Sequence, residues 1–351
     1  MNKISRRELL RKVTALGLAS ASVTLLGPVL GCTRRSPQPD AAPAAAAEPS
    51  PTARPAAAAE PSPTARPAAA AEPSPTAAAA DAEPAYLAVA RGESPAAIVK
   101  AALDAIGGIG RFVKSGQDVI IKPNICNASH TFEYASTTNP EVVGTLVSLC
   151  LGAGAKRVRV MDYPFSGMPQ TAYDVSGIAE AVKTAGGEME VMSAFKYQEV
   201  EIPLGQDLKS VFVYRDALDV DVLINVPIAK HHSMSRLTLG MKNLMGLILD
   251  REIIHPNFGQ RLPDLASLIA PDLTVIDAVR ILTNHGPTGG SLDDVVQANT
   301  VIASHDIVAA DAYAATLFAL KPEQIAYIVG GAKMGLGTLD LESIKIAKLA
   351  V

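Results

Sequence analysis

The sequence predicts an α/β fold with a mainly parallel sheet and helices on both faces of that sheet; a smaller lobe stays open as an addition. Strand-like and helix-like segments alternate between residues 86 and 348. The strand-like segments are near-continuous runs of Val, Ile and Leu, which is typical of parallel strands that are covered on both faces. Residues 84–351 have the length of one large α/β domain and are predicted to be the folded part of the chain.

The order of elements follows from apolar patterns and from helix caps. The predicted strands are residues 86–92, 118–124, 157–162, 188–192, 221–227, 272–279, 298–304 and 343–348. The predicted helices are residues 94–108, 139–155, 175–187, part of 237–249, 262–270, 305–320 and part of 322–335. Ser94 and Asn139 each precede a proline, and Asp306 precedes an alanine-rich run, so all three are expected to be N-caps.

The first 32 residues are predicted to be an export signal. The stretch SRRELLR at residues 5–11 resembles a twin-arginine signal, and an apolar run over residues 15–31 follows it. That run is short for a spanning helix, although an uncleaved helical anchor stays open. It ends in VLGC, which resembles a bacterial lipobox with Cys32 as the lipidated residue. The predicted location is therefore the periplasmic or cell-surface side of a membrane, with Cys32 as the anchor.

Residues 33–83 are predicted to be a disordered, Ala/Pro-rich linker. The unit AAAAEPSPTARP begins at residue 44, repeats at residue 56 and starts again at residue 68. Proline recurs too often for a helix, and the unit contains no large apolar side chain that could form a core. The linker is therefore expected to hold the folded domain away from the membrane.

Charge and cysteine content narrow the function classes. The chain has a formal net charge of −4, and its first 32 residues carry five positive charges and one negative charge, so the remainder is more acidic. An acidic exported protein without a basic patch is not expected to bind nucleic acid. The sequence has no CxxC motif, so no iron–sulfur cluster is expected. Cys150 is interpreted as a small buried apolar residue, and a disulfide between Cys126 and Cys150 stays open.

Polar side chains lie in the last residues of five of the predicted strands or just after them. They are Lys122 with Asn124, Asp162, Lys230 with His231 and His232, Asp277, and His305 with Asp306. The carboxyl ends of parallel strands meet at one edge of a sheet, where α/β proteins bind ligands. The sequence therefore predicts one pocket, to which Lys242 and Asn243 are also assigned as ligand-binding residues.

The predicted pocket combines cations, amides and carboxylates. Lysines at a partly buried edge need an anion, so Lys122, Lys230 and Lys242 are expected to face a phosphate or carboxylate ligand. The candidate ligands of a divalent metal are Asp162, Asp277 and Asp306. The alternative is a network of salt bridges that neutralises itself and only holds the loops.

The two adjacent histidines are not expected to bind one metal ion together. Adjacent residues of a strand point to opposite faces, and Lys230 beside them would repel a cation. The sequence also lacks an HExxH motif. One of His231 and His232 is expected to transfer protons while the other forms structural hydrogen bonds, and Lys230 is grouped with them as a catalytic candidate.

A glycine-rich loop, NHGPTGG, occupies residues 284–290. Backbone N–H groups in such a loop could cradle an anion, so Gly286, Pro287 and Gly289 are candidate ligand-binding residues. The loop matches neither GxGxxG nor GxxxxGK[ST], so it is no nucleotide-binding signature, and a plain turn stays open.

These segments together resemble the domain-of-unknown-function 362 family. The resemblance rests on VIIKPNIC, TTNPEVVGTLVSLCLGAGAKRVRVMD, DVLINVPIAKHHSMSRLTLGMKNLMG, DLTVIDAV, GPTGG and SHDIVAADAYAA, within residues 86–348. It implies one pocket made by Lys122, Asn124, Lys230, His231, Lys242, Asn243, Asp277, Gly286, Pro287 and Gly289. Many relatives carry a ferredoxin-like module, but this chain has no cysteine cluster, so the resemblance implies no electron-transfer role for it.

Two functions remain in view. The first is a lipid-anchored enzyme that acts on a small anionic or phosphorylated substrate, with or without a divalent metal. The second is a tethered protein that binds a ligand or cofactor as an accessory of a membrane redox complex. Both depend on a pocket at the ends of the strands.

Overall fold

The computed structural model describes residues 83–351, which fall in one compact unit. The predictions for residues 1–32, including lipidation of Cys32, and for residues 33–82 lie outside the described residues. The strands are β1 (Leu87–Arg91), β2 (Asp118–Pro123), β3 (Arg157–Val160), β4 (Glu188–Met189), β5 (Tyr197–Glu201), β6 (Ser210–Tyr214), β7 (Val222–Val226), β8 (Ile228–His232), β9 (Arg236–Thr238), β10 (Leu273–Leu282), β11 (Val295–Ser304) and β12 (Ile346–Ala350).

The α-helices of residues 83–351 are mostly short. They are α1 (Pro95–Ala105), α2 (Pro140–Gly152), α3 (Pro169–Val175), α4 (Ile178–Thr184), α5 (Asp216–Asp219), α6 (Gly240–Asn243), α7 (Phe258–Ile269), α8 (Ile307–Thr316) and α9 (Ala326–Lys333). Within this range, none of them combines the length and the apolar character that crossing a bilayer requires.

The main sheet is mixed but mainly parallel. Its strand order is β12-β1-β11-β10-β7-β2-β3-β4, and β8 pairs with β10 and β9. The pairs β2–β3, β2–β7, β3–β4, β7–β10, β8–β10 and β1–β12 are parallel. β11 is antiparallel to both of its neighbours, β1 and β10. The α/β class predicted from the sequence is confirmed.

Helices cover both faces of the sheet, as predicted. Helices α1 to α4 pack with Val119 and Ile121 of β2 into one apolar core. Helices α5 to α9 contribute to a second core, which contains Ile120 of the same strand. Successive residues of a strand point to opposite faces, so neighbours in β2 belong to different cores. The antiparallel pair β5–β6 adds Val211 and Val213 to the second core and forms no separate lobe.

The predicted caps begin their helices. The Ser94 side chain accepts a hydrogen bond from Ala97 N at 3.3 Å. The side chain of Asn139 accepts one from Glu141 N at 2.9 Å. Asp306 Oδ1 accepts from the first turn of α8, from Val308 N at 2.8 Å and Ala309 N at 2.9 Å. Each cap satisfies backbone N–H groups that the helix itself leaves without partners.

The predicted strand of residues 221–227 ends at residue 227, but in the structure the chain stays in the sheet after β7. β8 follows directly after Pro227 and continues alongside β10, where Ile228 pairs with Asp277. β9 then turns back on β8, with Thr238 opposite Lys230. The result is a hairpin that carries Lys230, His231 and His232 beyond the end of β2.

Two strand ends differ from the prediction, which displaces two expected site residues. β10 continues to Leu282, so Asp277 lies inside a strand and not at its end. Asp277 also shares a strand face with Val275 and Val279, which belong to the core of α1 to α4. β11 runs antiparallel, and its last residue, Ser304, pairs with Thr274 near the start of β10. The chain therefore reaches Asp306 at the amino-terminal end of β10.

Candidate functional site

A cavity of about 770 Å³ opens beyond the carboxyl ends of β2 and β3. Its wall comes from the segments after these strands, from the β8–β9 hairpin, and from residues 242–255. The lining includes eight of the residues predicted from the sequence: Lys122, Asn124, Asp162, Lys230, His232, Lys242, Asn243 and Pro287. Most of the polar residues that were predicted to share one pocket therefore line the same cavity.

Lys122 and Asp162 form a buried ion pair at the base of the cavity. Lys122 Nζ lies 2.9 Å from Asp162 Oδ1, and both side chains are at most 4% exposed. Asp162 also accepts hydrogen bonds from Ile125 N at 2.6 Å and Tyr163 N at 2.9 Å. Burial lowers the pKa of Lys122 to about 8, although the Asp162 carboxylate acts in the opposite direction.

The two asparagines connect the lysines. Asn243 Oδ1 accepts from Lys122 Nζ at 2.8 Å and from Asn124 Nδ2 at 3.0 Å. Its Nδ2 group donates to Asn225 Oδ1 at 2.9 Å and to Lys122 O at 3.1 Å. Asn124 Oδ1 in turn accepts from Lys230 Nζ at 3.0 Å. One continuous network thus fixes both ammonium groups.

Lys230 is held by neutral oxygen atoms. Besides Asn124, its Nζ donates to the backbone oxygen of Ser136 at 2.6 Å, and the residue is 1% exposed. Among the ion pairs of the described residues, none contains Lys230. Its positive charge is therefore hydrogen-bonded without being neutralised.

Gly246 allows the backbone to approach the buried ion pair. A Cβ atom at this position would lie 2.5 Å from Lys122 Nζ and closer still to Asp162 Oδ1. Both atoms belong to side chains whose positions are fixed by several hydrogen bonds. The absence of a side chain at residue 246 is therefore a requirement of the site.

Lys242 lies in α6 and reaches the cavity without an oxygen partner among the described residues. Its Nζ lies 3.4 Å from Met245 Sδ and 4.9 Å from the centre of the Phe258 ring. The residue is 8% exposed. Burial and the nearby charges of Lys230 and Arg251 lower the pKa of Lys242 to about 7.

Two histidines lie near the same phenylalanine. The Phe258 ring centre is 6.2 Å from that of His232 and 5.3 Å from that of His255. His232 Nδ1 accepts from Met234 N at 3.1 Å and Ser235 N at 3.3 Å, so its proton belongs on Nε2. Burial and the charges of the lysines lower the pKa of His232 to about 3, and the pKa of His255 is also lowered, mainly by burial.

Asp311 of α8 holds the turn that presents Lys242 and Asn243. Its carboxylate accepts from Gly240 N at 2.6 Å and from Met241 N at 3.0 Å. Asp311 is fully buried, which raises its pKa to about 7. The carboxylate does not line the cavity, so it acts on the site only through the position of α6.

The exposed part of the cavity lining is mixed: it contains apolar side chains, the carboxylates of Asp250 and Glu252, and the cation of Arg251. The apolar side chains include Phe165, Met234 and Leu249, which are 46–59% exposed. Arg251 donates from Nε to Met245 O at 3.1 Å and from Nη2 to the backbone oxygen of Tyr163. Its guanidinium group also lies over the Tyr163 ring, 5.1 Å from the centre. The exposed lining therefore carries charges of both signs, whereas the buried lining is dominated by lysines.

The glycine-rich loop packs on the β8–β9 hairpin. Gly286 N donates to His231 Nδ1 at 3.1 Å, and Gly289 N donates to His285 O at 3.1 Å. These N–H groups are used inside the fold, so the predicted anion cradle of Gly286 and Gly289 is not formed. Pro287 reaches the cavity, where its backbone oxygen accepts from Cys126 Sγ at 3.4 Å.

His231 points to this loop while His232 faces the cavity, as the alternation of a strand requires.

The three aspartates predicted to bind a metal do not converge. Asp162 is committed to Lys122, and Asp277 accepts from Asn139 N and Val279 N on the opposite face of the sheet. Asp306 caps α8 and accepts from Tyr86 Oη at 2.6 Å. Within residues 83–351, no group of three or more His, Cys, Asp or Glu side chains is arranged to hold a metal ion. The shared metal site was therefore a wrong prediction.

A sequence comparison identifies the family. The profile of the domain of unknown function 362 matches residues 119–316, which is more than half of the chain. The chain belongs to the domain-of-unknown-function 362 family. The matched range includes all of the cavity residues that the sequence predicted.

Two further similarities accompany the family match. A thylakoid-associated protein of Synechocystis is 28% identical over 261 residues, which cover 70% of this chain and 77% of that protein. A lactate racemase apoprotein from Thermoanaerobacterium thermosaccharolyticum superposes with a TM-score of 0.40 at 11% identity. That superposition covers 62% of this chain and about half, 53%, of the racemase chain.

Sequence reasoning missed several cavity residues of this member of the domain-of-unknown-function 362 family. Arg251, His255 and Leu249 come from a segment without a strand-end position. Tyr163 and Phe165 do follow β3, but an aromatic side chain was not considered as part of the site. Cys126 was considered only as a disulfide partner, but it is a free thiol on the cavity wall, and Cys150 is free and buried. The available signal for Arg251 and His255 was the group of ionisable residues in DREIIH, residues 250–255, which follows an apolar run.

Proposed function

We propose that the protein is an enzyme that binds a small anionic substrate in this cavity and acts on it there. One observation carries the proposal: Lys122, Lys230, Lys242 and Arg251 line a single cavity, and the buried carboxylate of its described lining, Asp162, is already paired with Lys122. The other two carboxylates of the lining, Asp250 and Glu252, are exposed to solvent. Charges at a partly buried position need a counterion. A carboxylate or phosphate ligand would supply it.

Chemical groups suited to catalysis are present beside the cations. Lys242 and His255 both have lowered pKa values, and His232 offers an Nε2–H group. Such groups can transfer protons or donate hydrogen bonds near neutral pH. The proposed division of roles is anion binding by Lys122, Lys230 and Arg251, and chemistry by Lys242 and His232.

Attachment to a membrane is a second part of the proposal. It rests on the VLGC sequence that ends at Cys32 and on the twin-arginine-like residues before it. The related Synechocystis protein is described as thylakoid-associated, which is a membrane location for that protein. Replacement of Cys32 by Ala should release the protein from the membrane fraction into the soluble one.

Anion binding can be tested by thermal unfolding with phosphate, citrate, pyruvate and chloride at equal ionic strength. A bound anion raises Tm because it binds only the folded state. We expect a rise that chloride does not give and that Lys230→Ala abolishes. No rise with any anion would contradict the proposal.

Turnover distinguishes an enzyme from an accessory binding protein. Native protein is incubated with the anions that raise Tm, and products are sought by mass spectrometry. Product that disappears in Lys230→Ala protein supports the enzyme. Stabilisation of the wild type without any product would favour the binding protein.

A further inference from the structure

The three lysines of the cavity differ in what their amines contact. Lys122 has a carboxylate and an amide oxygen within 2.9 Å, and Lys230 has two neutral oxygens within 3.0 Å. Lys242 has only a thioether sulfur at 3.4 Å and an aromatic face. These are weak partners for an ammonium ion. Oxygen atoms thus hold the amines of Lys122 and Lys230, whereas no oxygen atom of the described residues holds the amine of Lys242.

The surroundings of Lys242 favour its neutral form. The residue is nine-tenths buried, and no ion pair of the described residues includes it. Lys230 and Arg251 add positive charge nearby, and neither has a carboxylate partner in that set. Burial and like charge both penalise the protonated amine, which agrees with its lowered pKa of about 7. A neutral amine carries the lone pair that a nucleophile needs.

We propose that Lys242 is a nucleophile that forms an imine with a small carbonyl compound carrying an anionic group, such as a 2-oxo acid. The proposal rests on the proposed function and narrows its substrate class. The cations of Lys230 and Arg251 would bind the carboxylate, and Lys242 lines the same cavity, where its amine would meet the adjacent carbonyl carbon. The apolar contacts of Lys242 with Met245 and Phe258 keep the amine free of competing acceptors.

The step needs no oxidant, reductant or further reactant. The lone pair of Lys242 Nζ attacks the carbonyl carbon, a C–N bond forms, and the carbonyl electron pair moves to oxygen. The amine loses a proton and the oxygen gains one, which gives a carbinolamine. A second proton, taken from solvent, lets the oxygen leave as water when the C–O bond breaks, and the nitrogen lone pair forms the C=N bond of a protonated imine. The Nε2–H of His232 is a hydrogen-bond donor for this oxygen, because Nδ1 is occupied by backbone N–H groups.

Imine formation is tested by reductive trapping in the whole protein. Glyoxylate, pyruvate and pyridoxal 5′-phosphate are each added near neutral pH, and sodium borohydride then reduces any imine to a stable secondary amine. With pyruvate, the expected mass increase is that of pyruvic acid less one oxygen atom. We expect one adduct per chain with at least one probe, and peptide mapping should place it on Lys242.

Three variants make the result specific. Lys242→Met replaces the amine with an apolar group that suits Met245 and Phe258, and Lys242→Arg keeps a cation without the nucleophile; both should fold and neither should be trapped. Lys100→Ala removes an exposed lysine paired with Asp104 and should not alter trapping. Adducts that persist at wild-type level in Lys242→Met protein would overturn the proposal.

A second measurement does not depend on the choice of carbonyl probe. Competitive labelling with trace acetic anhydride reports the reactivity of each amine as a function of pH. Lys242 should become reactive at lower pH than Lys100 does. If neither this reactivity nor an adduct is found while anions still raise Tm, the imine proposal fails and the anion site stands. If Lys242 is trapped but common anions give no Tm rise, the anion-site proposal fails and the nucleophile stands.

Discussion

At the scale of single residues, the site is decided by which polar atoms lack a strong partner. Lys122 and Lys230 were predicted to face a ligand because they follow strands, and both do lie at the cavity. Sequence alone could not tell that oxygen atoms hold these two while Lys242 has a sulfur and a ring. The partners of a side chain come from other segments of the chain. Phe258, for example, reaches Lys242 only because the whole domain packs as it does.

The burial of Lys242 should cost stability. Lys242→Met is expected to raise Tm, by roughly 2–4 °C for each kcal/mol gained in a domain of this size. The gain should be accompanied by loss of imine trapping. A Tm that falls by several degrees would mean that the amine is better satisfied than its contacts suggest.

The effect of Lys242 on stability should depend on pH. The pKa of Lys242 is about 7 in the folded protein, against an ordinary lysine pKa of 10.5, so between these values the unfolded chain binds more protons. The free energy of unfolding of the wild type therefore rises with pH across this window on account of Lys242. The advantage of Lys242→Met should be largest below pH 7 and shrink towards pH 10. Urea unfolding of both proteins at several pH values measures it, and the paired comparison cancels the similar contribution of Lys122.

Gly246 should tolerate no side chain. Gly246→Ala forces Lys122 or Asp162 to move, and we expect a loss of about 1–3 kcal/mol in the free energy of unfolding. Gly152→Ala is a matched control, because a Cβ atom at the end of α2 meets nothing within 4 Å. Denaturant unfolding of the two variants makes the comparison. Equal stability of both would contradict the close packing at Gly246.

At the scale of elements, caps and alternation were predictable, whereas strand direction and strand length were not. Ser94, Asn139 and Asp306 cap their helices because this signal is local. The reversal of β11 and the extension of β10 depend on pairing with residues far along the chain. The metal prediction failed for this reason, since it treated Asp277 and Asp306 as ends of parallel strands.

The four-residue helix α6 should depend on Asp311. Asp311→Ala leaves Gly240 N and Met241 N buried without acceptors, at a cost of about 1–3 kcal/mol each. Lys242 would then lose its fixed position, and trapping at this residue should fall. Asp311→Asn keeps an oxygen acceptor and the size of the side chain, so it should retain more stability and more trapping. Unfolding and trapping of the two variants in parallel test this; an alanine variant that traps as well as the wild type would refute the positioning role.

At the scale of the whole molecule, the mixed sheet separates parts that a fully parallel sheet would have joined. The cavity is on the face of β2 that carries Lys122, while Asp277 is on the other face and Asp306 follows a reversed strand. The sequence placed the fold class correctly because apolar runs and alternation are averages over many residues. A site depends on a few side chains, so a single reversed strand was enough to remove one predicted ligand.

Two distant substitutions should therefore act independently. Asp306→Ala removes the cap of α8 and the acceptor of Tyr86 Oη and Thr338 N, so it should cost at least about 1–2 kcal/mol of stability, with the anion-induced rise in Tm unchanged. Lys230→Ala should abolish that rise. The losses of stability in the double variant should add within about 0.3–0.5 kcal/mol. A markedly weaker anion response in Asp306→Ala protein would show that the two regions are coupled.

The exposed side chains of Phe165, Met234 and Leu249 in the cavity lining offer no hydrogen bonds to a solute that contacts them. A solute must lose hydration water before it reaches the amines, and the free-energy cost of this loss is greatest for strongly hydrated ions. Singly charged carboxylates with a small hydrocarbon body should consequently outrank sulfate among competing solutes. Selectivity among anions would thus depend on the cost of their dehydration, before the lysines form any hydrogen bond with them.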